Sequence, residues 1–387
     1  MDIIKIFVYK VIRTCIRFFA FFPIKKNRLL FESYKGNSYS CNPKYICEYL
    51  MKNHKNMYEI IWILNSPDKA TLSPKIKTVK KKSIANFYYH LTAKVIITNM
   101  TDDVYIPKRK EQIIINTWHA GGAYKKVGLS YDKANSILMK WQNKIVRDET
   151  SYYVSSSELF SKYNIQDAYH YNGKIINSGM PRNDIFFDNT KINFIKSKLS
   201  NLWNISGKQV ILYAPTFRGD FGKAESAEFV FPFIEIINAF KQYEKEIIIL
   251  NRSHYSVSNA FKTDIENIMD VSDYPDMQEL LVIADILITD YSSSMWDFSL
   301  TGKPCIFYVP DKEQYLSDRG TYTPMEKWPG LIASTKDELL SLLLNNDVTV
   351  YKSKAEASLD FFASYETGNA TRILCNLINE VCTYEFP

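Results

Sequence analysis

The sequence predicts an α/β protein of two domains, each with a parallel sheet covered by helices. A chain of 387 residues is longer than one ordinary hydrophobic core supports, and it suits two domains. Short apolar runs alternate with helical stretches along nearly the whole chain, which favours parallel sheets with helices on both faces. In each half, a histidine follows one of these runs by a few residues, which suggests two domains facing across a cleft.

The apolar runs indicate where the strands lie. In the first domain, predicted as residues 24–190, we expect strands at 29–33, 58–64, 95–98, 113–115, 152–157 and 174–179. Residues 191–208 are interpreted as a connecting helix and linker. In the second domain, predicted as residues 191–387, we expect strands at 210–214, 247–250, 268–271, 286–289, 305–308 and 331–332. The helical pattern of 355–381 is compatible with a last helix that crosses back to the first domain.

The most informative motif follows the third isoleucine of an apolar run and reads Asn-Thr-Trp-His-Ala-Gly-Gly-Ala-Tyr-Lys-Lys. It combines a proton-transfer group with flexible backbone and positive charge, in His119, Gly121, Gly122, Lys125 and Lys126. Open α/β sheets bind their ligands at the carboxyl ends of strands, so the motif predicts a site for an anionic substrate. A structural histidine followed by an ordinary glycine turn is the alternative.

The second histidine, His254, lies two residues after Arg252 and also follows an apolar run. The planar fork of Arg252 suits phosphate oxygens, and a protonated His254 could add a charged hydrogen bond to the same group. A surface ion pair is the alternative for Arg252.

Two further apolar runs end in polar residues. One ends in Asp290, after which Ser292 and Ser293 open a predicted helix, where hydroxyl and backbone N–H groups favour an anion. Simple helix capping is the alternative for the serines, and Asp290 is expected to orient a hydroxyl or an imidazolium, or to hold the serine turn. Thr216 and Arg218 follow another run in the same way. Loops of this kind that converge on one cleft predict a ligand site.

In their order along the chain, these motifs resemble those of the CDP-glycerol glycerophosphotransferase family, which includes teichoic acid primases and polymerases and related capsule-modifying enzymes. The segments that carry the resemblance are Trp118–Gly122 with Lys125 and Lys126, Ser178–Asp184, Ala214–Arg218, Arg252–His254, Ile288–Ser293 with Asp297, Lys303–Pro304, and Phe361–Ala370. Many members have Gly-Thr-Pro-Leu where this chain has Ala-Gly-Gly-Ala at 120–123. Because of this departure, the sequence leaves open which acceptor the protein uses and which polyol its donor carries.

The resemblance implies the GT-B architecture, which has two Rossmann-like domains with the active site between them. It also implies a CDP-polyol donor, CDP-glycerol or CDP-ribitol, and transfer of a polyol phosphate to a hydroxyl of a cell-wall or capsular glycopolymer or a lipid-linked acceptor, with release of CMP. Glycerol phosphate is the expected group, and no cofactor or metal is expected. His119, as general base, and His254 are the expected catalytic residues. The expected donor residues are Thr216, Arg218, Arg252, Asp290, Ser292 and Ser293, and the expected acceptor residues are Gly121, Gly122, Lys125 and Lys126.

Composition is compatible with this interpretation. The net charge is only +6, and the lysine-rich run at 75–82 is typical of a solvated face, although it could also meet an anionic membrane or a polyphosphate. No recognition helix, zinc motif or RNA-stacking motif indicates a nucleic acid partner. The 6 cysteines lack Cys-x-x-Cys spacing, which is typical of reduced thiols in the cytoplasm.

Residues 1–23 are predicted to form an amphipathic helix on a membrane surface. Basic residues interrupt the segment too often for a membrane span, and no small-residue cleavage site follows it. On a helical wheel Lys10, Arg13 and Arg17 share one face, while apolar residues lie largely on the other. We therefore expect a cytoplasmic enzyme that is peripheral at the inner face of the plasma membrane. A helix packed on its own domain is the alternative.

Two other functions stay open at this point. A nucleotide-sugar glycosyltransferase would use the same architecture, strand-end histidine and basic loops. A non-catalytic membrane-surface scaffold could keep the fold without turnover, although the two histidines and the serine turn argue against it.

Overall fold

The computed structural model describes residues 1–70, 72–100, 104–131, 136–216, 231–253 and 267–383. The chain forms two compact units, the first made of Met1–His119, Lys126–Asp184 and the segment from Ser364 onward, the second of Ala120–Lys125 and Ile185–Ala363. The short glycine segment at 120–125 therefore belongs to the second unit, although it lies within the domain predicted as 24–190. The segment from Ser364 returns to the first unit.

The first unit is built on a sheet whose strands are all parallel in the part of the chain described above. They are β1 (Lys25–Glu32), β2 (Glu59–Leu64), β3 (Ile76–Lys80), β4 (Ala93–Thr98), β5 (Ile113–Asn116), β6 (Tyr152–Ser155) and β7 (Lys174–Asn177). Their order across the sheet is β3-β2-β1-β4-β5-β6-β7. Leu30, Ile61 and Ile96 belong to its buried core, as expected for central strands that read as continuous apolar runs.

The second unit has its own parallel sheet. Its strands are β8 (Gln209–Tyr213), β9 (Ile247–Asn251), β10 (Ile268–Asp270), β11 (Ile286–Thr289), β12 (Cys305–Tyr308) and β13 (Leu331–Ala333). Their order is β10-β9-β8-β11-β12-β13. Each sheet therefore reverses its strand order once, between β1 and β4 in the first and between β8 and β11 in the second. Such switch points open a crevice at the carboxyl ends of the strands, where α/β proteins bind ligands.

Helices connect the strands. They are α1 (Asp2–Arg17), α2 (Cys41–Asn53), α3 (Ile84–Thr92), α4 (Ile137–Glu149), α5 (Asn189–Trp203), α6 (Phe233–Gln242), α7 (Met277–Ile283), α8 (Ser294–Ser299), α9 (Lys312–Asp318), α10 (Lys336–Leu344), α11 (Val348–Phe361) and α12 (Ala370–Thr383). A helical turn at Glu158–Phe160 continues as a π-helix at Ser161–Asp167, and short 3₁₀ helices lie at Tyr34–Gly36, Pro67–Lys69, Gly128–Ser130, Pro181–Phe187 and Met325–Lys327. Side-chain caps start several of the helices. Ser83 accepts the N–H of Asn86 at the start of α3, and Ser136 accepts that of Met139 at the start of α4.

The predicted α/β class with two parallel sheets is confirmed. One strand was not predicted, and one predicted helical segment is divided. The lysine-rich run at 75–82 contains β3, whose Ile76 and Val79 are buried while lysines between and after them reach solvent. The helical pattern of 355–381 is divided between α11 and α12, with a break from Phe362 to Asn369.

One face of helix α1 packs on the first unit. Tyr9 stacks on Trp141 of α4, with ring centroids 5.9 Å apart. Arg13 is buried, pairs with Glu149 and donates a hydrogen bond to the carbonyl oxygen of Val104. Arg13 therefore differs from Lys10 and Arg17, with which it shares a face of the helical wheel, because the half-buried carboxylate of Glu149 on α4 pairs with its guanidinium.

The opposite face of α1 is apolar and exposed. Phe7 is 66% exposed, and beyond the end of the helix Phe18 is 78% exposed. Lys10 and Arg17 are exposed as well. Within the described residues, none of the helices combines the length and apolar character that a membrane span needs.

Candidate active site

His119 lies three residues after the end of β5, at the carboxyl edge of the first sheet. Its Nδ1 is 3.0 Å from the backbone carbonyl oxygen of Asn99, which follows β4. A carbonyl oxygen can only accept a hydrogen bond, so in the neutral imidazole Nδ1 carries the proton and Nε2 carries the lone pair. The structure thus holds His119 in the tautomer whose Nε2 can act as a base.

Two aromatic rings flank the imidazole of His119. The indole of Trp118 stacks on it, with centroids 4.9 Å apart and planes at 26°. The ring of Tyr34 meets it edge-on, with centroids 5.8 Å apart and planes at 63°. The side chain is therefore restricted by one hydrogen bond and two ring contacts.

The backbone of this loop is held from a second side. Arg182 Nη1 donates to the carbonyl oxygen of His119 at 2.7 Å. Asn42 Nδ2 lies 3.1 Å from the carbonyl oxygen of Thr117 and 3.0 Å from that of Trp118. These bonds keep Trp118 in a left-handed conformation, with φ of 53°. Arg182 and Asn42 were not predicted as site residues, although Arg182 lies in one of the segments that carry the family resemblance.

Two of those segments bind each other within the first unit. The carboxylate of Asp184 accepts the backbone N–H groups of Ala370 at 3.0 Å and Thr371 at 2.7 Å. Glu366 accepts the N–H of Met180 at 3.0 Å and Nδ2 of Asn183 at 2.9 Å. A carboxylate at the first turn of a helix satisfies free N–H groups and complements the helix dipole, so Asp184 anchors the start of α12.

The polar centre of the second unit is Asp290, which is buried directly after β11. Its Oδ1 accepts the backbone N–H of Thr216 at 2.7 Å, the hydroxyl of Thr216 at 2.8 Å and the N–H of Tyr291 at 2.5 Å. Thr216 follows β8, so these bonds span the switch point of the second sheet. The structure brings Thr216 and Asp290 together, and Asp290 orients a hydroxyl there.

The serine turn follows Asp290. Ser292 Oγ accepts the N–H of Ser294 at 3.3 Å and the hydroxyl of Ser294 at 3.0 Å. Since a hydroxyl has one proton and two lone pairs, Ser292 keeps its own O–H to donate to another group. Ser293 precedes α8 and makes no side-chain cap hydrogen bond. Ser292 and Ser293 are both half-buried.

Lys125 lies in the second unit, where its backbone bridges to Thr321. Burial lowers the pKa of the Lys125 ammonium; the negative charge of Asp290 raises it, and the positive charge of Arg319 lowers it. Lys125 therefore interacts electrostatically with Asp290 and with Arg319. Arg319 was not predicted, because it follows helix α9 and no strand-end pattern marks it. Lys126 is exposed and belongs to the first unit.

The two glycines before Lys125 are buried. A Cβ atom on Gly121 would lie 2.0 Å from Cδ1 of Trp296, and Gly122 has a φ of 69°. The double glycine is thus explained by close packing on the indole of Trp296 and by a left-handed backbone. Contact of Gly121 and Gly122 with an acceptor stays a prediction.

Arg252 is another predicted site residue, and its described contacts lie in the second unit. Arg252 Nη1 donates to the carbonyl oxygens of Val271 at 3.1 Å and Tyr274 at 2.7 Å, so this end of the guanidinium braces the loop after β10. His254 and Arg218 lie outside the described residues. Within the described ranges no group of three or more histidine, cysteine or acidic side chains could hold a metal ion, and the expected absence of a cofactor stays a prediction.

Comparison with known proteins assigns the chain to a family. The family model described as CDP-Glycerol:Poly(glycerophosphate) glycerophosphotransferase matches residues 14–380. The chain belongs to this family. The resemblance stated from the motifs is confirmed.

Relatives in the glycerophosphotransferase family cover nearly the whole chain. A teichoic acid poly(glycerol phosphate) polymerase of Bacillus spizizenii is 30% identical over 367 residues, which are 92% of this chain and 93% of that protein. A protein of the same name from Staphylococcus epidermidis is 31% identical over 92% of this chain. The alignment spans only 51% of that longer polymerase.

A solved structure agrees with the fold. The structure of a histidine-to-asparagine variant of the wall teichoic acid polymerase TagF, soaked with CDPG for 15 minutes, has a TM-score of 0.85. It is 28% identical in sequence and covers 98% of this chain and 96% of that chain.

Proposed function

We propose that this protein transfers glycerol phosphate from CDP-glycerol to a hydroxyl of a cell-wall or capsular glycopolymer, or of a lipid-linked acceptor, and releases CMP. The observation that carries the proposal is the imidazole of His119, held with Nε2 as its basic nitrogen at the carboxyl edge of a sheet, in a chain of the glycerophosphotransferase family. The names of the relatives favour glycerol phosphate as the transferred group.

His119 is the proposed general base. The acceptor hydroxyl gives its proton to Nε2 of His119 while its oxygen attacks the phosphorus that carries glycerol. The bond between this phosphorus and the bridging oxygen breaks, and the electron pair leaves on CMP. The Nδ1 hydrogen bond to Asn99 stays in place and stabilises the imidazolium that forms.

The second unit supplies the proposed donor site. The free O–H of Ser292 and the ammonium of Lys125 would bind the diphosphate and stabilise the charge that develops on CMP. The role proposed for Asp290 and Thr216 is to fix the shape of this loop, because the Thr216 hydroxyl donates to Asp290. Ser293, Arg252, Arg218 and His254 remain proposed donor residues from the sequence pattern.

Lys125 was predicted to bind the acceptor, and we assign it to the donor instead. It belongs to the second unit and interacts electrostatically with Asp290 and with Arg319. Arg319 is accordingly added to the proposed donor residues. Lys126 remains a proposed acceptor residue.

Peripheral membrane binding is part of the proposal. The outward face of α1 combines exposed Phe7 and Phe18 with the cations Lys10 and Arg17. This combination suits insertion of aromatic rings at a membrane interface rich in anionic lipid. A helix that lies in the membrane plane would bring the enzyme to a lipid-linked acceptor.

The test is release of CMP from CDP-glycerol in the presence of membrane extract, with mass analysis of the product. We expect His119→Asn to abolish transfer and to bind CDP-glycerol with nearly unchanged affinity. His170→Asn is the matched control, because His170 is exposed and asparagine tolerates its φ of 51°. Turnover of CDP-ribitol but not of CDP-glycerol would show that ribitol phosphate is the transferred group. Release of UDP from a UDP-sugar would favour a glycosyltransferase.

A further inference from the structure

We propose that Tyr34 is a positioning residue for His119. Its ring, carried on a strained left-handed turn, keeps the imidazole in the orientation that proton transfer requires. The inference rests on the proposed role of His119 as base, and it adds a residue that lies 85 positions away in the chain.

The turn after β1 has an unusual backbone. Tyr34, Lys35 and Gly36 have φ values of 47°, 60° and 78°. Residues with a side chain rarely adopt the left-handed region, and they do so as single residues. Two consecutive non-glycine residues in this region are therefore a local cost of the fold.

Hydrogen bonds on both sides stabilise this turn. The N–H of Tyr34 donates to Oδ1 of Asn99 at 2.8 Å, and the N–H of Gly36 donates to the carbonyl oxygen of Ser33 at 2.9 Å. The N–H of Asn65 donates to the carbonyl oxygen of Gly36 at 2.8 Å. Strain that the surroundings enforce in this way is characteristic of functional sites.

Asn99 joins the turn to His119. Its side-chain oxygen accepts the N–H of Tyr34, and its backbone oxygen binds Nδ1 of His119. The two groups meet at the switch point between β1 and β4. Asn99 is fully buried, and its Nδ2 has no hydrogen-bond partner among the residues described. A second local cost, an unsatisfied amide, thus coincides with the strained turn.

The strained turn places the Tyr34 ring against the imidazole of His119. The hydrogen bond to Asn99 fixes one nitrogen of the imidazole, but a bond to one atom does not by itself fix the plane of the ring. Trp118 covers a face of the ring, while Tyr34 meets it edge-on at 5.8 Å. Without the Tyr34 ring, Nε2 of His119 would sample orientations in which it does not reach the acceptor hydroxyl. Proton transfer is sensitive to such misplacement.

The experiment compares three variants in the CMP-release assay. Tyr34→Gly removes the ring and also relieves the backbone, so we expect equal or higher thermal stability together with a fall in kcat of roughly tenfold. We expect the KM for CDP-glycerol to stay within about twofold, since the donor site is proposed on other residues. Tyr34→Phe keeps the ring and should restore kcat to within about twofold of the wild type.

Lys35→Gly is the matched control, because it relieves the neighbouring backbone and leaves the Tyr34 ring in place. We expect it to keep wild-type kcat. Unchanged kcat in Tyr34→Gly would overturn the inference. A Tyr34→Phe variant with kcat as low as that of Tyr34→Gly would also overturn it, because the hydroxyl and not the ring would then be required. A Lys35→Gly variant with kcat as low as that of Tyr34→Gly would overturn it as well. If His119→Asn retains turnover, the proposed role of His119 as base is wrong. This result is distinct from an unchanged kcat in Tyr34→Gly, which contradicts only the role of Tyr34.

Discussion

Thr216 donates two hydrogen bonds to the same oxygen of Asp290, one from its backbone N–H at 2.7 Å and one from its hydroxyl at 2.8 Å. The bonds join the loop after β8 to the end of β11. Asp290 is buried, so this carboxylate both shapes the proposed donor loop and contributes to the stability of the second unit.

Asp290→Ala would leave the N–H groups of Thr216 and Tyr291 without their acceptor. We expect it to lower the free energy of unfolding by about 2–3 kcal/mol and to weaken CDP-glycerol binding by at least about tenfold. Thr216→Val removes only the hydroxyl and should cost about 1 kcal/mol. Chemical denaturation and titration calorimetry measure the two quantities. Equal stability losses in the two variants would contradict the central role of Asp290.

Lys125→Met tests the assignment of this lysine to the donor. Removing one cation from the diphosphate should raise the KM for CDP-glycerol by about tenfold and reduce the dependence of that KM on salt. Lys126→Met is the comparison, since it removes a neighbouring cation that lies in the first unit. If Lys126→Met raises the KM for CDP-glycerol more than Lys125→Met does, the assignment of Lys125 to the donor site is wrong.

Asp184→Ala tests the anchor of α12. The variant loses the acceptor for two backbone N–H groups at the start of this helix, so we expect a loss of about 1–2 kcal/mol in unfolding free energy. Thr383→Ala, at the exposed end of the same helix, should change stability by less than about 0.5 kcal/mol. Similar losses in both variants, measured by urea denaturation, would show that the first turn is not where Asp184 acts.

Gly121→Ala tests the packing of the double glycine on Trp296. A Cβ 2.0 Å from Cδ1 of the indole must displace the ring or the loop, with an expected cost of about 1–3 kcal/mol in unfolding free energy. Gly207→Ala is the control, because its Cβ meets nothing within 4 Å although its φ is 80°. If thermal denaturation finds the Gly207 variant to be the less stable of the two, backbone strain outweighs the contact with Trp296.

The double variant Phe7→Asp, Phe18→Asp tests membrane binding. We expect it to lose most binding to vesicles that contain phosphatidylglycerol, while its melting temperature stays unchanged because both rings are exposed. Phe194→Asp is the control, since Phe194 is 68% exposed in the second unit. Sedimentation with vesicles gives the result, and undiminished binding of the double variant would reject the α1 surface.

The strands were predictable because most of them are uninterrupted apolar runs. Strand β3 was missed because an edge strand buries little, and here only Ile76 and Val79 face the interior. The break between α11 and α12 was missed because the helical pattern continues through it.

The site was predictable where chemistry and strand ends coincide in one short motif, as at His119 and Asp290. The burial of Arg13 was not predictable, because its partner, Glu149, is 136 residues away and a helical wheel shows no partner. The membership of Lys125 in the second unit, the approach of Arg319 and the contact of Tyr34 with His119 depend on how the chain returns on itself. No local pattern encodes these relationships.

The anchoring of α12 has a consequence for synthesis of the protein. All strands of the first sheet precede Asp184, yet α12 contributes Leu374 and Ile378 to the interior of the same unit. During translation, the sheet of the first unit therefore stays incompletely covered until α12 has left the ribosome.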